Sequence, residues 1–147
     1  MTDPGARLLP DGEVWKIVAG LMFGSFLSVL DVLIVITALP TIVGDLGGRS
    51  SISWVITAYL LTSTTAGPLF GKLSDLFGRM RLYQLAVLVF VAGSVIAGLS
   101  HDMSQLIAGR AIQGIGSGGL MALPSAMVAD VSAPRQRARF QSVMMLN

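Results

Sequence analysis

Four long runs of apolar residues constrain the fold of this chain more than any other feature. They lie at residues 14–38, 53–70, 82–100 and 104–128. About 20 mostly apolar residues cross a bilayer as a helix, because only a helix or a closed barrel satisfies its own backbone hydrogen bonds there. The runs are apolar on every side and lack the period-2 alternation of barrel strands. The sequence therefore predicts an all-α membrane protein with four membrane-spanning helices. Residues 140–147 would form the start of a fifth helix.

The overall composition excludes several other classes of protein. Only 12% of the residues are charged, against about 25% in an average soluble domain. The sequence has no cysteine and a single histidine, His101, which argues against a cysteine-ligated or histidine-rich metal site. The net charge is +2, but the basic residues form short clusters between the apolar runs instead of one basic face. We therefore expect no metal, no cofactor and no nucleic-acid partner.

The distribution of Lys and Arg predicts an orientation in the membrane. Eight of the ten lie in the N-terminal tail, in the connection at residues 71–81 or in the connection at residues 129–141. Basic residues favour the cytoplasmic side of a membrane protein. The sequence thus predicts a multi-pass protein of the cell membrane, plasma or inner, with a cytoplasmic N-terminus.

Two ionisable residues, Asp31 and Arg110, interrupt otherwise apolar runs. A charge at the centre of a membrane helix costs about 2.5–3.5 kcal/mol on insertion scales, so such residues have partners or functions. Both lie about 9–11 Å below the predicted outer surface at 1.5 Å per residue, and Gln113 lies one turn from Arg110. Equal depth and opposite sign make them candidate partners, or two walls of one polar cavity. An intramembrane carboxylate can carry a proton, so we predict a transport role for Asp31, with Arg110 and Gln113 in the same polar cavity. A static ion pair is the alternative.

A glycine-rich stretch in the fourth run has two interpretations. Residues 114–119 read GIGSGG and fit the G-x-G-x-x-G pattern of dinucleotide sites, but such a site requires a preceding strand and a soluble helix. Gly114 and Gly118 also show the four-residue spacing of small residues that lets membrane helices approach closely. We favour helix packing.

The connection at residues 71–81 reads GKLSDLFGRMR and contains the most specific pattern in the chain. Glycines suit a tight reversal, and an Asp near an Arg suits a charged contact. The alternative interpretation is a set of basic residues that only anchors the topology.

This connection resembles the loop between the second and third helices of the major facilitator superfamily. The matching positions are Gly71, Leu73, Ser74, Asp75, Gly78, Arg79 and Arg81, and Met80 departs from the pattern. The fourth run resembles the L-x-x-x-R-x-x-Q-G-x-G pattern of the same family at Leu106, Arg110, Gln113, Gly114 and Gly116. Leu30 and Asp31, followed by Ala38, Leu39 and Pro40, resemble the first-helix signature of the fourteen-helix drug:proton antiporters.

The resemblance implies a fold and a function. The fold would be the first four helices, and the start of a fifth, of the N-terminal half of a major facilitator transporter. The chain would not be an enzyme. It would take part in proton-coupled efflux of hydrophobic or cationic small molecules by alternating access, with the remaining helices of a longer chain as partners in the bilayer.

The resemblance also assigns residues to a cytoplasmic gate. Asp130 resembles the acidic residue that pairs with the loop arginine in this superfamily. The expected gate residues are Gly71, Asp75, Gly78, Arg79, Arg81 and Asp130. Two alternatives remain open at this point: a superfamily member that imports nutrients or exports lipids or siderophores, and a membrane bundle without a transport function.

Overall fold

Four antiparallel helices make up the described part of the chain. The computed structural model describes residues 11–46, 51–131 and 142. The helices are α1 (Asp11–Leu46), α2 (Ile52–Phe77), α3 (Arg79–Gly98) and α4 (Met103–Val131). The start of α1, the α2–α3 junction and the end of α4 lie at one end of the bundle, which we call the Arg79 end. The α3–α4 turn lies at the opposite, His101 end.

Three of these helices are long and apolar enough to cross a membrane, namely α1 over Gly12–Ile42, α3 over Arg79–Gly98 and α4 over Met103–Asp130. The sequence predicted four, and α2 falls below that level of apolarity. The reason is the polar run from Thr62 to Thr65, whose hydroxyls hydrogen-bond to backbone carbonyls one turn earlier in the same helix. Such bonds remove the need for water as a partner. The all-α prediction is confirmed for the described residues.

The helices extend beyond the predicted apolar runs. The run at 14–38 is part of a helix that continues through Pro40 to Leu46, and α2 continues from the predicted end at residue 70 to Phe77. The connection predicted at residues 71–81 is shorter in the structure, because Gly78 alone separates α2 from α3. Apolarity marks the segment that suits lipid, whereas backbone hydrogen bonds continue the helix beyond it.

The other predicted bounds differ by a few residues. The run at 82–100 corresponds to α3, which begins at Arg79 and ends at Gly98, and the run at 104–128 corresponds to α4, which begins at Met103 and ends at Val131. The side chain of Asp102 accepts a hydrogen bond from the backbone N–H of Gln105 at 2.8 Å and so caps α4. The predicted element at 140–147 lies outside the described residues, apart from residue 142.

Helix α4 is the centre of the bundle and packs closely against α2 on one side and α3 on the other. Glycines at these contacts bring the backbones together: a Cβ on Gly116 or Gly118 would come within 3.0 Å of backbone atoms of α3 or α2, respectively. Contact between α1 and α4 is much less extensive. Helices α2, α3 and α4 thus form a tight group, and α1 lies against α4 along a narrower contact.

Candidate functional site

A buried polar cluster joins α1, α2 and α4 in the interior of the bundle. Helix α1 contributes Asp31, α2 contributes Tyr59, and α4 contributes Arg110, Gln113 and Ser117. The spacings of three and seven residues place the α4 members on one face of that helix. We call these five residues the Arg110 cluster.

Three members of the Arg110 cluster form a closed set of hydrogen bonds. Arg110 Nη1 donates to Asp31 Oδ2 and to Gln113 Oε1, the latter at 2.8 Å. Gln113 Nε2 in turn donates to Asp31 Oδ1 at 2.7 Å. Both carboxylate oxygens therefore have a donor, and the ion pair is desolvated, with only 2% of the Arg110 side chain and 19% of the Asp31 side chain exposed. A buried ion pair is stable only when its remaining polar atoms are also bonded, and Gln113 meets that requirement for Asp31.

Asp31 also faces a cleft of about 300 Å³ between α1 and α3. The residues that line it are Leu27, Leu30, Asp31, Ile34, Phe90, Val91, Ser94 and Val95. Asp31 is the charged member of this set, and Arg110 is not part of it. The carboxylate thus contacts an apolar cleft on one side and the guanidinium on the other.

A second charged cluster lies at the Arg79 end and involves α2, α3 and α4. Arg79 Nε lies 2.8 Å from Asp130 Oδ2, and Arg79 Nη2 lies 3.3 Å from Asp75 Oδ1. Exposed fractions of the side chains are 28% for Arg79, 53% for Asp130 and 66% for Asp75. The structure therefore brings together three of the residues that the sequence assigned to a gate, and we call them the Arg79 cluster.

The remaining predicted gate residues have other positions. Gly78 ends α2 and has a φ of +91°, a conformation that side chains other than glycine rarely adopt. Gly71 lies within α2. Arg81 is exposed and has no ion-pair partner among the residues that the structure describes.

The stretch GIGSGG is helical throughout and lies within α4. A Cβ on Gly114 would come within 3.0 Å of the Tyr59 carbonyl, and one on Gly118 within 3.0 Å of the Ser63 carbonyl. These positions are filled by α2, so a phosphate group cannot approach the backbone there. The stretch packs helices and does not form a dinucleotide site.

Sequence reasoning missed Tyr59 and Tyr83. The Tyr59 ring lies 4.2 Å from Arg110 Cζ, and its hydroxyl donates to Ser117 Oγ at 2.6 Å. Tyr83 of α3 donates to the Gly20 carbonyl of α1 at 3.3 Å. A polar aromatic residue in an apolar run is the only sequence signal of either contact, and it does not reveal the partner helix.

Comparison with known proteins identifies the family. A family model described as Major Facilitator Superfamily matches residues 21–146. The chain belongs to this superfamily. The resemblance drawn from the sequence motifs is thereby confirmed, and the family is one of membrane transporters and not of enzymes.

Several curated relatives are named as transporters or efflux pumps. The multidrug transporter protein MdtP of Bacillus subtilis is 46% identical over 127 residues, which cover 86% of this chain and 24% of the relative. The Acurin A biosynthesis cluster MFS-type transporter of Aspergillus aculeatus is 39% identical over 153 residues, covering 98% of this chain and 28% of the relative. An efflux pump of Gibberella fujikuroi is 38% identical over 130 residues, which cover 88% of this chain and 23% of the relative. The chain thus spans about a quarter of the length of these relatives.

Proposed function

We propose that these helices belong to a transporter that exports hydrophobic or cationic small molecules in exchange for protons, by alternating access. The observation that carries the proposal is the buried set of hydrogen bonds among Asp31, Arg110 and Gln113. Ionisable residues inside a membrane bundle are expensive and mark ion pathways and proton relays. A relative named multidrug transporter supports small-molecule transport, and one named efflux pump supports export as its direction.

In this mechanism Asp31 carries the proton. While Asp31 is ionised, its carboxylate ties α1 to α4 through Arg110 and Gln113. A proton on the carboxylate removes the charge and weakens both contacts. Helix α4 is packed tightly against α2 and α3, whereas α1 contacts α4 less extensively, so α1 is the element whose position responds to the proton. A contact between opposite charges that is present in one state and absent in the other biases a two-state equilibrium in this way.

A cationic substrate competes with Arg110 for the same carboxylate. The apolar walls of the cleft between α1 and α3 suit a lipophilic body, and Asp31 supplies the single negative charge. Binding of such a cation and binding of a proton at Asp31 would then exclude one another. Mutual exclusion of this kind couples export to proton entry.

The Arg79 cluster would act as the gate on the cytoplasmic side. Arg79 of α3 contacts Asp75 of α2 and Asp130 of α4, so a rearrangement of these helices changes the distances between the charges. Gly78 allows α2 and α3 to meet with one non-helical residue between them. The intact cluster would favour the state that is closed at this end.

Removal of the Asp31 charge tests the proposed function. Asp31→Asn keeps the size of the side chain, and we expect it to reduce proton-driven ethidium export by the full-length protein to the level of vesicles without transporter. Insertion and expression should remain normal. The matched control is Asp102→Asn, because Asp102 is exposed at the His101 end and Asn is an equally good helix cap. Export at the parental rate by Asp31→Asn would show that the role is wrong.

The proposed orientation in the cell membrane has its own test. Residues 1–147 contain no cysteine, so a cysteine introduced at His101 or at Met80 serves as a defined label once any cysteines elsewhere in the full-length protein have been replaced. Both positions are exposed and lie at opposite ends of the bundle. In whole cells, an impermeant thiol reagent should react at position 101 and not at position 80, because the N-terminus and the Arg79 end face the cytoplasm. The reverse pattern would invert the topology.

A further inference from the structure

One contact of the Arg110 cluster has no role in the mechanism above. The ring of Tyr59 lies 4.2 Å from Arg110 Cζ, within the distance of a cation–π contact. Only Arg110 Nη1 is used in the bonds to Asp31 and Gln113. The Nε of the same guanidinium is buried and has no hydrogen-bond partner within the described part of the chain. The aromatic ring is therefore a second, separate source of stabilisation for the positive charge.

The position of the Tyr59 ring does not depend on Asp31. Its hydroxyl donates to Ser117 Oγ at 2.6 Å, and Ser117 is fully buried. Its backbone carbonyl lies against Gly114, where a side chain would not fit. Both anchors are on α4, the helix that carries Arg110. The ring and the guanidinium therefore stay together when α1 moves.

Asp31 is the only anionic group that faces the guanidinium from the described helices. Between Ile52 and Gly71, α2 has no charged residue, and Tyr59 is its only titratable one. Between Leu82 and Gly98, α3 has no charged residue, and its Tyr83 bonds to Gly20 elsewhere. On α4 the neighbours Gln113 and Ser117 are uncharged. Protonation of Asp31 therefore leaves a buried cation without a counter-ion, which is strongly unfavourable unless another group compensates.

We infer that Tyr59 is a positioning residue that holds Arg110 in place, as a cation, while Asp31 is protonated. The inference rests on the proposed proton-carrying role of Asp31. Attraction between a cation and an aromatic face is strongest in desolvated surroundings and remains when the carboxylate becomes neutral. In that state the guanidinium is no longer held by Asp31 and can settle fully on the ring. The ring thus stabilises the protonated state more than the ionised one.

Fluorination of the ring tests this inference with little change of shape. We would replace Tyr59 by Phe, and then by pentafluorophenylalanine introduced as a non-natural amino acid, in the full-length protein. Fluorine withdraws the negative charge of the ring face. Proton-driven ethidium transport into inside-out vesicles is then measured over a range of pH. We expect Tyr59→Phe to keep the parental midpoint of the pH dependence of transport. The fluorinated variant should move this midpoint by about half a pH unit towards lower pH, because protonation of Asp31 has become less favourable.

The comparison of variants separates this role from ordinary packing. Tyr59→Met, which fills space without a ring, should move the midpoint in the same direction as fluorination, whereas Ser117→Ala should leave it close to that of Tyr59→Phe. A rate that falls equally at every pH, or a midpoint that does not respond to fluorination, would overturn the inference. The Asp31→Asn variant separates failure of the proposed function from failure of the inference about Tyr59. If Asp31→Asn still exports ethidium against a gradient, the proposed function fails. If Asp31→Asn does not export ethidium and fluorination of Tyr59 has no effect, only the role of Tyr59 fails.

Discussion

The two arginine clusters of this chain contain the same chemistry in different surroundings. Arg110 contacts one carboxylate and Arg79 contacts two, in each case from neighbouring helices. The Arg110 side chain is 2% exposed and its partner Asp31 19%, whereas Arg79 is 28% exposed and its two partners more than half. Two unit charges 4 Å apart attract each other by about 1 kcal/mol in water and by about 4 kcal/mol near a protein surface. Burial therefore decides how much each cluster contributes.

Burial also changes what happens when one partner is lost. In the Arg110 cluster the charge that remains is poorly hydrated, so the penalty exceeds the contribution of the contact itself. In the Arg79 cluster water replaces the missing partner at little cost. In the proposed function, the buried cluster would detect one proton, and the exposed cluster would open and close with small changes in free energy. The predictions below test this difference, beginning with the largest effect.

The largest expected effect follows removal of the buried cation. Arg110→Met keeps a long unbranched side chain but leaves Asp31 without a counter-ion, and loss of one partner of a buried pair costs about 3–5 kcal/mol. Because Asp31 is 19% exposed, we expect a loss near the lower end, about 3 kcal/mol, in the free energy of unfolding measured by denaturant titration in detergent micelles.

A double variant provides the control for this prediction. Asp31→Asn combined with Arg110→Met leaves no buried charge, so the double variant should be more stable than Arg110→Met alone. If the changes in the free energy of unfolding of the two single variants simply add in the double variant, the two sites are not coupled. The pair would then not be desolvated in the protein. The comparison between the two clusters would then lose its basis.

An intermediate effect is expected from the glycines that bring α4 against α2. Gly114→Ala places a Cβ within 3.0 Å of the Tyr59 carbonyl and Thr62 Oγ1, and overpacking of this kind costs about 1–3 kcal/mol. The matched control is Gly20→Ala in α1, where no atom lies within 4 Å of the added Cβ. Thermal unfolding in detergent should show a clear loss for Gly114→Ala and no loss for Gly20→Ala. Equal stability of the two variants would indicate that the close packing around Arg110 is not required.

The two clusters also differ in how far the sequence predicted them. Helical depth and opposite charge were sufficient to suggest that Asp31 and Arg110 are partners, because a buried charge in an apolar run requires one. The Arg79 cluster followed from the resemblance to a family motif, and the structure brings Asp75 and Asp130 to the expected arginine.

Contacts that need a particular rotation of one helix against another were not predictable. Tyr59 lies in a run with little amphipathic pattern, so periodicity does not show which face meets α4. The ends of the helices were also missed, because apolarity ends at the membrane boundary whereas α2 continues through Lys72 and Asp75 to Phe77. Charged residues interrupt an apolar run without interrupting a helix.

The smallest effect on stability is expected at the Arg79 cluster. Asp130→Asn removes one charge from a partly exposed pair, and such pairs contribute about 0–1 kcal/mol. Salt screens exposed charges over about 10 Å at 0.1 M and about 3 Å at 1 M, so the small loss in the free energy of unfolding should disappear at high salt. The loss caused by Arg110→Met should largely persist there, since Asp31 is mostly shielded from the solution. If Asp130→Asn instead destabilises the protein as much as Arg110→Met does, and equally at low and high salt, then the Arg79 cluster is buried in the working protein. A cluster of that kind could not open at small cost, and its proposed role as a gate would have to be abandoned.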